Sequence, residues 1–424
     1  MERIKVEIER LGRVRNSMIE ISPLMIFSGE SGMGKSYLAL LAHYFFDVLM
    51  LSDQMHRLVH LFDSYGYDYN KMSENFLDEG VAVTLSKRQI EEWMENDAIN
   101  YLRFMLNSDS LDGKITVTLP VTVPETIQIF YKKDDSGLVK SEDKGVILTI
   151  GGLGYRVSIS AINDMNPFAF VMSAYLTDCI FGDIFALKTT FNMPPSRGPV
   201  LSENVIGNSG MYKDFIADIN ELSNVPSNPK DWSPLLKNQL FSIMEGEVKK
   251  VDNKFVYLTN GMSMPISAAA SSIKEIAPLQ LLVSKMEVGK MGILIEEPEA
   301  HLHPSKQRMM ADIIGCFRYA GAYVQLTTHS DYFLTRINEL ILFHRYAEHH
   351  NEEDTKQLSK KTGIATSFCI DGNDVVGYLV ELQADGSSKV IKQNMKRGVP
   401  FTSFSNAVRE GMRIGDILEE ALES

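Results

Sequence analysis

Hydrophobic and polar positions alternate over Ile4–Ile8 and again over Met18–Ser22, a period of two that predicts paired strands, with Gly12–Ser17 as the turn between them. Leu24–Phe27 is a short apolar run that reads as a strand. Tyr37–Leu51 is apolar almost all round, which predicts a helix buried against a sheet, and His43 within it reads as a core histidine. From Ser52 to about Asp109 the period is helical, clearest over Gln54–Phe62 and Ser86–Leu106, and Ser86 with Gln89 forms a capping box at the start of the second piece. The period then returns to two over Lys114–Leu119, Thr126–Tyr131, Val146–Ile150 and Tyr155–Ile159, with Asp134–Gly137 as a turn and the glycines of Gly151–Gly154 as a bend between strands. An apolar helix over Pro167–Ile184 leads to a strand at Ala186–Phe191, a proline-stiffened loop at Met193–Pro199 carrying Arg197, a helix at Met211–Leu222 and a proline-rich linker at Val225–Pro229. Gly292–Ile295 is an apolar strand that stops abruptly in carboxylates, and the run from Ala322 ends in Thr327-Thr328-His329-Ser330. Beyond Phe343, Glu348–Lys361 reads as polar and mobile. Thr366–Ile370 and Val375–Leu382 read as strands, Asp385-Gly386 as a hairpin turn, and Thr402–Leu422 as a closing amphipathic helix.

With 424 residues, 44% hydrophobic and 23% charged, the chain has room for one large core with additions, or for two to three domains. No heptads run through Tyr37–Pro265, which excludes a long coiled-coil arm there. The formal net charge of −13 excludes a surface that is basic all over, so any contact with DNA has to use a local patch. Cys179, Cys316 and Cys369 have neither disulfide-framework nor zinc spacing, in keeping with a reducing compartment. The start of the chain shows no signal peptide. Asp178, Gly182 and Asp183 interrupt the longest apolar stretch, so the expectation is a cytoplasmic protein that does not enter a membrane.

The candidate chemistry begins at Gly29-Glu30-Ser31-Gly32-Met33-Gly34-Lys35-Ser36, spaced G-x-x-x-x-G-K-S between a predicted strand and a predicted helix. Backbone N–H groups have to curl round phosphate oxygens with no Cβ in the way, a lysine has to reach the β and γ phosphates, and a hydroxyl has to reach Mg²⁺. Such a site needs one acid to hold Mg²⁺ and another to orient or deprotonate the attacking water. Glu296 and Glu297 are the candidates for these two roles, and His329 is the candidate partner of the γ-phosphate or the water.

Taken in order, these stretches resemble an ABC-type ATPase head of the RecF/SMC-like branch, and within it the overcoming-lysogenization-defect (OLD) type ATPases of bacterial and phage-defence operons. The resemblance rests on Gly29–Ser36, on Ile295-Glu296-Glu297-Pro298-Glu299-Ala300-His301-Leu302-His303-Pro304 and on Leu326–Ser330, with weaker support from Met193–Arg197 and the first hairpin. It implies an α/β fold: a head with a mixed sheet core over residues 1–343, an inserted helical and β subdomain at about 52–185, and a small α+β extension over 344–424. It also implies ATP and Mg²⁺ as cofactors, and a homo-oligomer in which two heads meet head to head around nucleotide. Ser271, in the loop Ala270–Glu275, is then the contact made to the other subunit's γ-phosphate. Ser272 or Ile273 stands where a glycine is usual, which implies weak or conditional hydrolysis. His301 and His303 lie in the segment that the resemblance puts at the head-to-head interface, and Arg13, Arg15 and Arg197 are further candidates to touch nucleotide. The tail is too short for the Toprim nuclease domain of OLD nucleases.

Three functions fit these residues, in descending order. The first is an ATPase acting as sensor, scaffold or gate for a separately encoded effector, a nuclease or toxin, in phage defence. The second is a DNA repair or recombination ATPase that binds DNA directly. The third, a transporter motor, needs a Leu-Ser-Gly-Gly signature that the chain lacks.

Overall fold

The computed structural model describes residues 3–50, 57–67, 80–133, 145–158, 166–202, 210–225, 234–252, 254–395, 398–399 and 403–423. The strands are β1 (Lys5–Leu11), β2 (Val14–Glu20), β3 (Leu24–Gly29), β4 (Val81–Ser86), β5 (Gly113–Thr118), β6 (Thr126–Lys133), β7 (Gly145–Ile150), β8 (Leu153–Ser158), β9 (Thr189–Met193), β10 (Glu247–Val251), β11 (Lys254–Thr259), β12 (Met262–Pro265), β13 (Met291–Glu296), β14 (Tyr323–Thr328), β15 (Val375–Leu382) and β16 (Ser388–Lys392). The helices are α1 (Lys35–Leu49), α2 (Leu58–Ser64), α3 (Lys87–Leu106), α4 (Pro167–Phe181), α5 (Gly198–Ser202), α6 (Gly210–Asn224), α7 (Pro234–Met244), α8 (Ser271–Lys285), α9 (Pro304–Tyr319), α10 (Asp331–His349), α11 (Glu352–Thr362) and α12 (Ser403–Glu423).

The result is a mixed α/β fold around a nine-stranded sheet of order β5-β1-β2-β16-β15-β3-β14-β13-β9. Its right half, β15-β3-β14-β13-β9, is parallel, and β3 and β13 within it are largely apolar runs buried at every position, as strands covered on both faces are. Side-chain alternation splits the core accordingly. Met25, Phe27 and Leu294 point into one hydrophobic layer with α1, α3 and α4, whereas Leu24, Ile26, Ile293, Ile295, Val324 and Leu326 point into the other with α6, α8, α9 and α10. Gln325 Oε1 on the first face lies 2.8 Å from His43 Nδ1, so His43 is the buried core histidine expected from its apolar helix. A separate antiparallel sheet, β4-β6-β7-β8, forms the inserted β part, and Gly151 (φ 55°) with Gly152 (φ 83°) makes the tight turn between its last two strands.

Several elements differ from the sequence reading. The first hairpin turns over Gly12-Arg13 alone, because β1 and β2 stay paired out to Leu11 and Val14. Residues 81–86 form a strand, not helix: Val83 and Leu85 are buried on one face, an alternation too short to stand out within a polar stretch. Helix α4 stops at Phe181 because Gly182 takes φ 78°, and β9 starts three residues later than expected. Glu348–Lys361 is not mobile chain but the end of α10 followed by α11. Asn351 caps α11 by accepting from Asp354 N at 2.9 Å, Glu352 and Glu353 occupy its first turn, Lys360 and Lys361 its last, and Gly363 ends it at φ 70°, so caps and dipole hold a helix that buries little. Thr366–Phe368 is a 3₁₀ turn instead of a strand; its Phe368 carbonyl packs where Gly315 of α9 leaves room. The turn read at Asp134–Gly137 and most of the linker read at Val225–Pro229 lie outside the described residues.

Residues 375–392, read from sequence as part of a C-terminal extension, supply β15 and β16 to the middle of the large sheet. β15 runs parallel to β3 with Val375 opposite Leu24 and Val380 opposite Gly29. Among the described residues no helix is long and apolar enough to cross a membrane, and the three cysteines are free thiols.

Candidate functional site

β3, β14 and β13 are adjacent and parallel, so their carboxyl ends open on one edge of the sheet, which is where open α/β sheets place ligands. The loop after β3 follows there. Gly29 (φ 130°), Gly32 (φ 76°) and Gly34 (φ 100°) hold backbone conformations that side chains resist, and a Cβ on Gly29 would collide with the Val380 carbonyl of β15. Glu30, Ser31 and Gly32 are exposed at the loop's crest, while Met33 tucks inward, its Sδ 3.9 Å from Ser388 Oγ of β16. Helix α1 opens at Lys35 and Ser36 with its N-terminus on the loop and its body across β3, β14 and β13. Lys35 is buried, and its Nζ donates to the carbonyls of Gly29 (3.0 Å) and Glu30 (2.7 Å). Burial pulls its pKa down to about 8 against the opposing pull of Glu297, Glu296 and Glu299.

The acids arrive from 260 residues away. Ser36 Oγ donates to Glu296 Oε2, at the last residue of β13. Glu296 is buried, and burial raises its carboxyl to about 6, opposed by that hydroxyl. Its Oε1 has no hydrogen-bond partner among the described residues. One hydroxyl and one carboxylate with a free buried oxygen are hard donors suited to Mg²⁺, so Ser36 and Glu296 fit the metal that a phosphate-binding loop uses. Glu297 follows at φ 46°, a left-handed conformation that turns its side chain off the strand; its N–H is 3.2 Å from both the carbonyl and the hydroxyl of Thr327. Glu297 Oε1 lies 3.4 Å from His329 Nε2, and this contact holds the carboxyl below the ordinary glutamate range.

Sequence reasoning gave Glu299 no role. The structure buries it beneath His329, where its Oε1 accepts from Thr328 Oγ1 and from His329 N, each at 2.7 Å. Its signal in the sequence was only its place in the Glu-Glu-Pro-Glu run. Arg197 also differs from expectation. It is buried, and its guanidinium donates to the carbonyls of Glu275 (2.8 Å), Glu296 (2.8 Å) and Pro194 (3.1 Å), so it braces the site from behind instead of facing nucleotide. Glu275 in turn accepts from the backbone N–H groups of Arg197 and Gly198, each at 3.1 Å. Ser271 stands exposed in the first turn of that same helix, α8, and does not join the Lys35–Glu296 group within the chain. Arg15 is spent on the carbonyls of Gly12 (2.5 Å) and Val14 (2.8 Å), and Arg13 is exposed at the hairpin tip. His303 caps α9 by accepting from Ser305 N, His301 is exposed at φ 60°, and no metal-binding group of three histidine, cysteine or acidic residues occurs among the described residues.

A family model described as an AAA ATPase domain matches residues 208–334, a span that holds Ser271, Glu296, Glu297 and His329 but not the loop at Gly29–Ser36. No curated protein matches the chain. Among solved structures, an SMC head bound to the C-terminal winged-helix domain of ScpA covers 93% of this chain and 98% of its own at 14% identity and a TM-score of 0.35. The SMC head domain from Thermotoga maritima covers 93% and 100% at 9% identity and 0.34. An SMC head with an extended coiled coil, bound to the C-terminal domain of ScpA from Pyrococcus furiosus, covers 97% and 100% at 12% identity and 0.37. Overlaps this loose assign no function.

Proposed function

We propose that the chain is an ATPase whose site is completed by a second copy of itself. One observation carries the reading: a lysine and serine at the start of α1, just past the loop that follows β3, two glutamates at the end of β13 and a histidine just after β14 meet at one edge of the sheet, although they lie up to 294 residues apart in the chain. The loop N–H groups, the N-terminus of α1 and Lys35 bind and orient the phosphates. Ser36 and Glu296 would hold Mg²⁺, which when bound would neutralise phosphate charge. Glu297, kept ionised by its contact with His329, accepts the proton of the water that attacks the γ-phosphorus, while the bond from that phosphorus to the bridging oxygen breaks. Ser271, exposed on its own chain, contacts the γ-phosphate in the other subunit, as the resemblance implies.

The OLD-type resemblance extends this to a sensor, scaffold or gate in phage defence that hands its ATP-dependent state to a separately encoded nuclease or toxin. The test compares wild type with Lys35→Ala and Glu297→Gln. Losing the Lys35 charge weakens ATP binding on the order of 10–100-fold, the worth of a charged hydrogen bond. Glu297→Gln keeps binding, lowers turnover by at least about 100-fold and accumulates an ATP-bound dimer. If Glu297→Gln turns over ATP like the wild type, the assignment of the base is wrong; if neither variant differs from wild type in binding, turnover or association, the whole reading fails.

A further inference from the structure

The inserted sheet β4-β6-β7-β8 buries only one of its faces. Val83, Leu85, Ile127, Ile129, Leu148 and Ile150 point into the core, while Ala82, Thr84, Gln128, Phe130 and Lys132, which alternate with them, are exposed. The pairing register sorts the open face into rows. Ala82, Phe130, Thr149 and Gly154 lie side by side in one row, and Lys132, Ile147 and Arg156 in the next, about 7 Å further along the strands. A cavity of about 480 Å³ opens against Thr126, Gln128, Phe130, Thr149, the Gly151-Gly152 turn and Tyr175 of α4. That volume suits a small molecule or one unit of a longer ligand.

The residues of this face say which ligand. Phe130 is a large aromatic left 51% exposed, and its row holds nothing larger than threonine beside it. Gly154 has no left-handed backbone to explain it, and nothing comes within 4 Å of where its Cβ would sit, so a residue that weakens a strand keeps the space near Phe130 clear. The side chains of Thr126, Gln128 and Thr149 make no hydrogen bond to a described residue, which leaves donors and acceptors at the cavity wall. The four strands carry Lys132, Lys133 and Arg156 and no acid. Over 126–158 as a whole, five basic residues stand against four acids, in a chain whose net charge is −13. An open ring, polar groups beside it and a row of cations match the base, its edge and the phosphates of a nucleic acid. A duplex keeps the faces of its bases stacked on one another, so the strand that uses Phe130 has to be single.

We propose that the open face of the inserted sheet binds single-stranded nucleic acid, with a base on Phe130 at the cavity and the backbone passing over Lys132 and Arg156. The contact goes beyond the ATPase reading and does not rest on it, because no residue of the phosphate loop takes part.

The test adds the full chain to fluorescein-labelled oligo-dT or oligo-U of about 20 nucleotides, at low salt and without ATP, and follows anisotropy. Binding to at least one of them is expected, the two arms separating DNA from RNA, and Lys35→Ala binds as wild type does. Phe130→Ala weakens binding about 10-fold, the worth of one stacked base, whereas Phe130→Trp retains it. Gly154→Leu, which fills the cleared space, weakens it as well. Lys132→Ala with Arg156→Ala makes the slope of log affinity against log salt shallower by about 1.4, the share of two phosphates on a single strand. Melting temperatures check that these substitutions on an open face leave the chain folded. Absence of binding to both oligonucleotides at low salt overturns the proposal, as does tighter binding to a duplex of the same length. Wild-type affinity in both Phe130→Ala and Gly154→Leu overturns it too, and so does displacement of the oligonucleotide by an equal concentration of AMP, which makes the cavity a mononucleotide pocket.

Discussion

Glu299 shows how a residue can serve the site without facing it. Its carboxylate ties the Thr328 hydroxyl to the His329 N–H and so fixes the turn that presents the imidazole to Glu297. Glu299→Ala should leave ATP affinity close to wild type and lower kcat on the order of 10–100-fold, because misplacing a catalytic group by a fraction of an ångström removes that much; steady-state kinetics with direct ATP binding separates the two effects. His43 makes the opposite kind of contribution, to stability alone. Burial brings its pKa down to about 4 from an ordinary 6.5, against the hydrogen bond to Gln325. The unfolded chain therefore takes up a proton below 6.5 that the folded chain refuses until about 4, and stability is lost as pH falls through that window. Melting temperatures of wild type should drop more steeply from pH 6.5 to pH 4 than those of His43→Gln, whose side chain does not titrate. Both roles depend on what a residue touches across the sheet. The sequence showed His43 as a core residue because its neighbours are apolar, but nothing local told Glu299 from any other acid in a turn, and Arg197 looked like a surface arginine on a proline loop until three carbonyls closed around it.

At the scale of elements, period and caps read well, and partners did not. Helix α3 begins where Ser86 and Gln89 said it would, with both halves of the capping box formed. Strand β4 and helix α11 were misread for related reasons: the first is held by cross-strand pairing with β6 and the second by its end groups, so neither advertises itself through a long apolar stripe. β15 was recognised as a strand, yet its position beside β3 is a long-range pairing that no window of sequence contains. That pairing makes the loop after β3 dependent on β15. Gly29→Ala has to strain a φ of 130° and push against the Val380 carbonyl, so it should destabilise the fold by more than about 1 kcal/mol and abolish nucleotide binding, seen as a lower melting temperature that ATP with Mg²⁺ no longer raises.

For the molecule as a whole, a site shared between copies predicts a result that no single chain can give. Lys35→Ala retains Ser271 but not the phosphate lysine; Ser271→Glu retains the lysine but opposes the γ-phosphate with charge. Each alone should be inactive. Mixed in equal amounts, half the dimers pair one of each and regain one of their two sites, so about a quarter of wild-type turnover should return. A self-contained site gives no recovery. Finally, the placement of β15 sets a condition on biosynthesis. The nucleotide loop is made within the first tenth of translation, but the strand that walls one side of it is made after residue 374, and until then β3 has an unpaired edge. A nascent or interrupted chain thus carries the loop's sequence before it has the strand whose Val380 carbonyl closes against Gly29.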